Sequence, residues 1–198
     1  MAITNGYCTL AEIKAALRIT DSTDDTLLEN SVEGASRRID SYCGRYFYQQ
    51  TQTVKVFARN NAQVFLRDDL VSITTLKTDN LGNQTFNTTW TVSVDYALEP
   101  YNHGLLGIPY YRVTAIGGKT FPMFTEPPIP GVEIVGVWGY PSVPDDVREA
   151  CVLLAARGFA RYNAALGVVG FGDMALQVRA VDPDVRDYLN GYVKMGMS

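Results

Sequence analysis

The chain has 198 residues, of which 46% are hydrophobic and 19% charged, so it holds enough apolar material for a packed core and is not a disordered tract. Its net charge is −4, and basic and acidic side chains are spread evenly from end to end, with no basic arm or acidic tail of the kind that grips phosphates. No apolar run approaches the roughly 20 residues of a membrane span, the first residues do not read as a signal peptide, and three cysteines with one histidine exclude the usual disulfide frameworks, metal knuckles and catalytic triads. Reduced thiols in a cytosolic setting fit Cys8, Cys43 and Cys151 best.

Thr9-Leu10-Ala11-Glu12 is a capping box, in which hydroxyl and carboxylate satisfy free amides at a helix start. It predicts a short helix from Leu10 to Arg18 with Leu10, Ile13, Ala16 and Leu17 on its apolar face. Asp24 to Cys43 predicts a longer helix. Leu28, Val32, Ala35, Ile39 and Tyr42 recur at helical spacing, and Gly44 supplies the left-handed stop.

From residue 50 the period changes from helical to alternating. Thr53–Phe57, Val64–Leu66, Val71–Leu76, Trp90–Val94, Tyr110–Thr114 and Val132–Trp138 are rich in β-branched and aromatic residues. Asn60-Asn61, Arg67-Asp68-Asp69 and Asn80–Asn83 read as the turns between them. The short spacing predicts an antiparallel β module of six or seven strands over 50–138. The prolines at 122, 127, 128 and 130 keep 121–131 out of a central strand.

Pro144 opens a third helix, apolar nearly all round from Cys151 to Ala156, which places it at the centre of a helical bundle. An extended piece at Met174–Val178 follows. Asp182-Pro183-Asp184 starts a final helix to Val193 striped by Val185, Leu189 and Tyr192. The fold class is therefore α+β: a bundle of about four helices (1–48 plus 139–198) interrupted by an antiparallel β module (50–138).

Residues 167–172 follow a helix in the order GxxGxG, with no Lys-Ser/Thr behind them, so they do not read as a phosphate loop. His103 lies in a turn signature, Tyr101–Gly104. Asp68-Asp69 reads as solvated turn charge, and Asp145, Asp146 and Glu149 as charge at a helix N-terminus. No cofactor, metal or catalytic set is assigned. What a bland reading leaves over is the uncharged, glycine-rich segment 164–171. Leu166, Val168, Val169 and Phe171, extended by Met174, Leu176 and Val178, predict burial against another subunit or a partner. Val185, Leu189 and Tyr192 are assigned to the same interface.

Four stretches resemble the head–tail connector, or adaptor, proteins of long-tailed bacteriophages: Tyr7–Lys14, Asp24–Phe47, Gly139–Ala150, and Gly170–Asp173 with Asp182–Val185. The resemblance covers about 1–48 and 139–195, and compact members of that family lack the β module. It implies a structural virion protein, not an enzyme, made in the host cytoplasm and placed in the neck between capsid and tail. It further implies a closed ring, twelve-fold to match the portal protein, with the next neck protein on its other face and DNA passing through the lumen without sequence-specific binding. The alternatives are another neck or tail-completion protein, or a small-ligand or enzymatic module in which the β module forms a pocket using His103, Tyr101 and Tyr110.

Overall fold

The structure, a computed structural model, describes residues 3–163, 170–171, 174–175 and 183–194. The chain forms two compact units, one from residues 1–48 and 143–198 and the other from 49–142. The fold is mixed α+β, with five helices among the described residues.

The helical unit begins with α1, Leu10–Leu17. The capping box forms as its residue types dictate: the Glu12 amide donates to Thr9 Oγ1 at 3.2 Å and the Thr9 amide to Glu12 Oε2 at 2.7 Å. The box holds the Glu12 carboxyl below its usual range, chiefly through the Thr9 amide. Of the expected apolar face only Ile13 is buried; Ala16 is exposed. Helix α2, Asp25–Cys43, buries Leu28, Val32, Ala35, Ile39 and Cys43, and ends on Gly44 at φ +64°. Cys43 takes the inward place expected of Tyr42, which is half-buried and donates from its hydroxyl to Asn190 Oδ1.

Helix α4, Asp145–Asn163, packs against α1, α2 and α5 (Pro183–Asn190), its stretch Cys151–Ala156 being apolar nearly all round. Val147, Ala150, Cys151, Leu154, Ala155 and Phe159 are its buried residues. Between α4 and α5, the two-residue strands β9 (Gly170–Phe171) and β10 (Met174–Ala175) pair antiparallel.

The β unit is built on β1 (Gln50–Val56), β2 (Gln63–Thr78), β3 (Thr88–Trp90), β4 (Tyr96–Glu99), β5 (Tyr110–Ala115) and β8 (Val132–Trp138), all antiparallel. The order is β1-β8-β2-β5-β4, with β3 also paired to β2. A one-turn helix α3, His103–Leu106, links β4 to β5, and β6 (Phe124–Thr125) with β7 (Pro128–Ile129) forms a separate short ladder in the proline-rich stretch.

The expected turn at Arg67-Asp68-Asp69 is instead the middle of the 16-residue β2. Register against β5 jumps from Phe65↔Arg112 to Leu70↔Tyr110, so the polar triplet is absorbed as an irregularity within the strand. Asp68 is exposed, but Asp69 is buried, and its carbonyl accepts the Gly139 amide at 2.8 Å. The expected strand Trp90–Val94 stops at Trp90. Residues 91–95 turn back through the Asp95 amide on the Thr91 carbonyl, leaving Val92 and Val94 exposed.

Val64, Leu66, Leu70, Leu76, Val113, Val132 and Ile134 make the centre of the β core, closed by Trp90, Tyr96, Phe121 and Trp138. The rings of Trp90 and Phe121 stack at 4.7 Å. Alternation along β8 sends Val132, Ile134, Gly136 and Trp138 inward. Gly136 is required there, because a Cβ would lie 2.2 Å from the Ser72 carbonyl oxygen on β2.

Candidate assembly surfaces

The segment ahead of α1 is fixed by Tyr7. Its amide donates to Ser36 Oγ at 3.0 Å, its hydroxyl donates to Asp40 Oδ1 and accepts the Phe47 amide at 2.9 Å, and its ring meets Phe47 edge-on. Burial pushes the Tyr7 hydroxyl well above its usual range and, despite the Tyr7 hydrogen bond and the Arg37 guanidinium, also raises the Asp40 carboxyl. Arg37 Nε lies 3.0 Å from Asp40 Oδ2, and the same guanidinium sits over the rings of Tyr7 and Tyr48. Phe47 and Tyr48, just after α2, thus pack within the helical unit, whereas Tyr46 is exposed. An open cleft of about 410 Å³ lies beside this segment, lined by Gly6, Tyr7, Cys8, Glu12, Val143 and Arg148 among others. A second, of about 290 Å³, runs between α2 and α4 over Ser31, Gly34, Ala35 and Gly158, with Arg38 and Arg161 beside it.

Of the residues assigned to an interface from sequence, Leu166, Val168, Val169, Leu176 and Val178 lie outside the described residues, as do the side chains of Phe171 and Met174. The backbones of Phe171 and Met174 are partners across the β9–β10 ladder. Val185 and Leu189, on the inward face of α5, are 1% and 2% exposed, so they complete the chain's own helical core. Tyr192 is half-buried, with its ring 5.7 Å from that of Phe47. The side of α5 left to solvent carries Asp184, Arg186, Asp187 and Tyr188.

Residues set aside for the pocket alternative separate by environment. The rings of His103 and Tyr110 lie 3.9 Å apart, and burial raises the Tyr110 hydroxyl, whereas Tyr101 is 70% exposed. Among the described residues no group of three or more His, Cys, Asp or Glu is placed to hold a metal ion. The Glu99 carboxyl is held by Arg112 and the Thr114 hydroxyl. Burial works against its charge, but those two partners prevail and keep it below its usual range. This cluster bridges β4 and β5 side by side, which is a cross-strand structural role.

The apolar surface that sequence reading missed is next to it. Leu105 is 89% exposed and Leu106 60%, so with Tyr101 the α3 link carries a bare apolar tip. Its signal was present in the run Leu105-Leu106-Gly107, two leucines in a turn too short to bury them.

The described residues thus form a helical unit interrupted by an antiparallel sheet, with hydrophobic side chains exposed at its loops. Residues 7–102 match the family described as phage gp6-like head-tail connector protein. The match runs without a break from α1 through β4, so the first half of the β unit is part of the family pattern and not a departure from it. No curated protein matches the sequence. Among solved structures, the chain is similar to a protein in the neck of an empty gene transfer agent (GTA) particle computed with C6 symmetry. The identity is 18% and the TM-score 0.58, over 100% of this chain and 95% of that one. It is similar also to a chain in the neck of the native particle computed with C12 symmetry, at 19% identity and TM-score 0.54, over 100% and 94%. A third is in the virion of the native particle, at 18% and 0.56, over 100% and 95%. The shared fold therefore spans both units. No described helix is long and apolar enough to cross a membrane.

Proposed function

We propose that this chain is the adaptor of a phage-like particle: a non-enzymatic virion protein of the neck whose copies close into a ring between portal and tail. The observation that carries this reading is the connector-family match over residues 7–102. The likeness over the whole chain to proteins in necks computed with C6 and C12 symmetry supports a ring, and a twelve-fold one. Ring closure suits a chain with unlike exposed patches, because heterologous contacts satisfy each of them on the next copy. One face of the ring meets the portal and the other the next neck protein. DNA passes through the lumen, for which evenly distributed charge is apt, since a conduit must release its cargo. The uncharged stretch 164–171, with Met174, Leu176 and Val178 beyond it, buries against a neighbouring subunit or the portal. So does the outer side of α5.

Assembly is the test. Purified protein, alone and mixed with its portal, is examined by negative stain and native mass. Rings of defined stoichiometry, or portal capped by this chain, are expected. A species that stays monomeric in both samples overturns the reading, and capture by a tail-completion protein in place of portal reassigns the chain to another position in the neck.

A further inference from the structure

Two of the three thiols, 143 positions apart in sequence, face each other inside the helical unit: Cys8 Sγ lies 3.4 Å from Cys151 Sγ. Both are buried. One oxygen holds the pair in place. Ser36 Oγ is 3.4 Å from Cys151 Sγ, donates to the Val32 carbonyl at 2.8 Å, and accepts the amide of Tyr7, the residue preceding Cys8. The two sulfurs are thus fixed against the same point of α2, and closing the gap to a bond of about 2.05 Å needs an approach smaller than a methyl group. Cys8 also lines the cleft of about 410 Å³, which gives a small reagent a route to the pair.

We propose that Cys8 and Cys151 are a redox-modification site, converted by a hydroperoxide into a disulfide that joins residues 3–48 covalently to 143–194. The peroxide transfers one oxygen to Cys151 Sγ, giving the sulfenic acid; the thiol proton leaves with the departing hydroxide as water. Cys8 Sγ then attacks the Cys151 sulfur, the S–S bond forms as the S–O bond breaks, and the Cys8 proton leaves with the second hydroxide. Two thiols are oxidised by two electrons, and one peroxide is reduced to two waters. The environment favours this division of labour. Cys8 keeps its proton and donates it towards Cys151, whose own proton affinity is lowered by that hydrogen bond and by the Ser36 hydroxyl. Cys43 differs: burial pushes its thiol up to about 11. The linkage forms wherever the chain meets an oxidising environment, and it is independent of whether the chain is a connector.

The test uses the full chain, reduced, then exposed to hydrogen peroxide and mapped without reductant. The expected result is a mass lower by two hydrogens, one linked peptide pair holding Cys8 and Cys151, and a melting temperature higher by roughly 5 °C or more, all reversed by dithiothreitol. Cys8→Ser and Cys151→Ser each abolish the mass change, and Cys43→Ser leaves it intact. Should a serine variant fail to fold, the peptide map of the wild-type chain decides alone. Oxygen adducts without the linked peptide, a link through Cys43, or an unchanged mass overturns the proposal.

Discussion

The Tyr7 hydroxyl donates to the Asp40 carboxylate across 33 positions of sequence while accepting the Phe47 amide, so one phenol ties the segment before α1 to both the end of α2 and the chain that leaves it. Tyr7→Phe removes the hydroxyl that accepts the Phe47 amide and donates to Asp40, leaving the half-buried carboxylate with Arg37. The variant is expected to lose about 1–3 kcal/mol in urea unfolding, with the native fold kept. A loss indistinguishable from zero would mean that water replaces the hydroxyl and that the network does not hold this segment.

Asp79 is wholly buried at the end of β2, and its carboxylate accepts the amides of Leu81 and Gly82 on one oxygen and of Gln84 on the other. Burial disfavours its charge, but the amides of Gln84, Leu81 and Gly82 outweigh burial and lower its proton affinity. A carboxyl depressed in the fold adds stability above its ordinary value, near 4, and that stability is lost as pH falls through the folded value. Asp79→Asn should therefore be less stable than the wild type at pH 7, with the gap narrowing towards pH 3. Chemical denaturation at the two pH values measures it, and a gap that stays constant refutes the assignment.

Glycines in the two units should respond in opposite directions to one added methyl. Gly136→Ala forces a carbon against the Ser72 carbonyl between β8 and β2 and is expected to lose about 3 kcal/mol or to fail to fold. Gly34→Ala, on the exposed side of α2 with nothing within 4 Å of the new carbon, is expected to gain roughly 0.5–1 kcal/mol. Thermal melts of the two variants side by side make the comparison.

Surface leucines distinguish assembly from folding. Leu105→Asp with Leu106→Asp should change stability by no more than about 0.5 kcal/mol, because both side chains already face water. If the α3 tip is an assembly contact, ring formation or portal binding falls while circular dichroism is unchanged. Phe171→Asp is expected to behave alike. Loss of helicity in the Phe171 variant would place that ring in the core instead.

Helices were legible because their start and stop signals are local. Thr9 and Glu12, the 28-32-35-39 stripe, Gly44 and Pro183 each act within one or two turns. The sheet was less so. The polar triplet Arg67-Asp68-Asp69 has turn composition, but pairing with β5 and β8 carries the strand through it, and no local residue encodes that pairing. Val185 and Leu189 were recognised as an apolar stripe but assigned to a partner, because a short chain-terminal helix does not reveal which face its own core will take. The pairing of Cys8 with Cys151 was illegible for the same reason: their separation is set by how α4 returns to α2, and each residue alone reads as a small hydrophobe.

The first residue of β1 pairs with the last of β8, Gln50 with Trp138, so the sheet is complete in one uninterrupted run of synthesis. The helices are not. In order of synthesis α1 and α2 come first, and α4, against which both pack, follows only after the whole of the β unit. A nascent chain of this design has a vulnerable interval in its first fifty residues, and chaperone demand or truncated by-products should trace to that interval and not to the sheet.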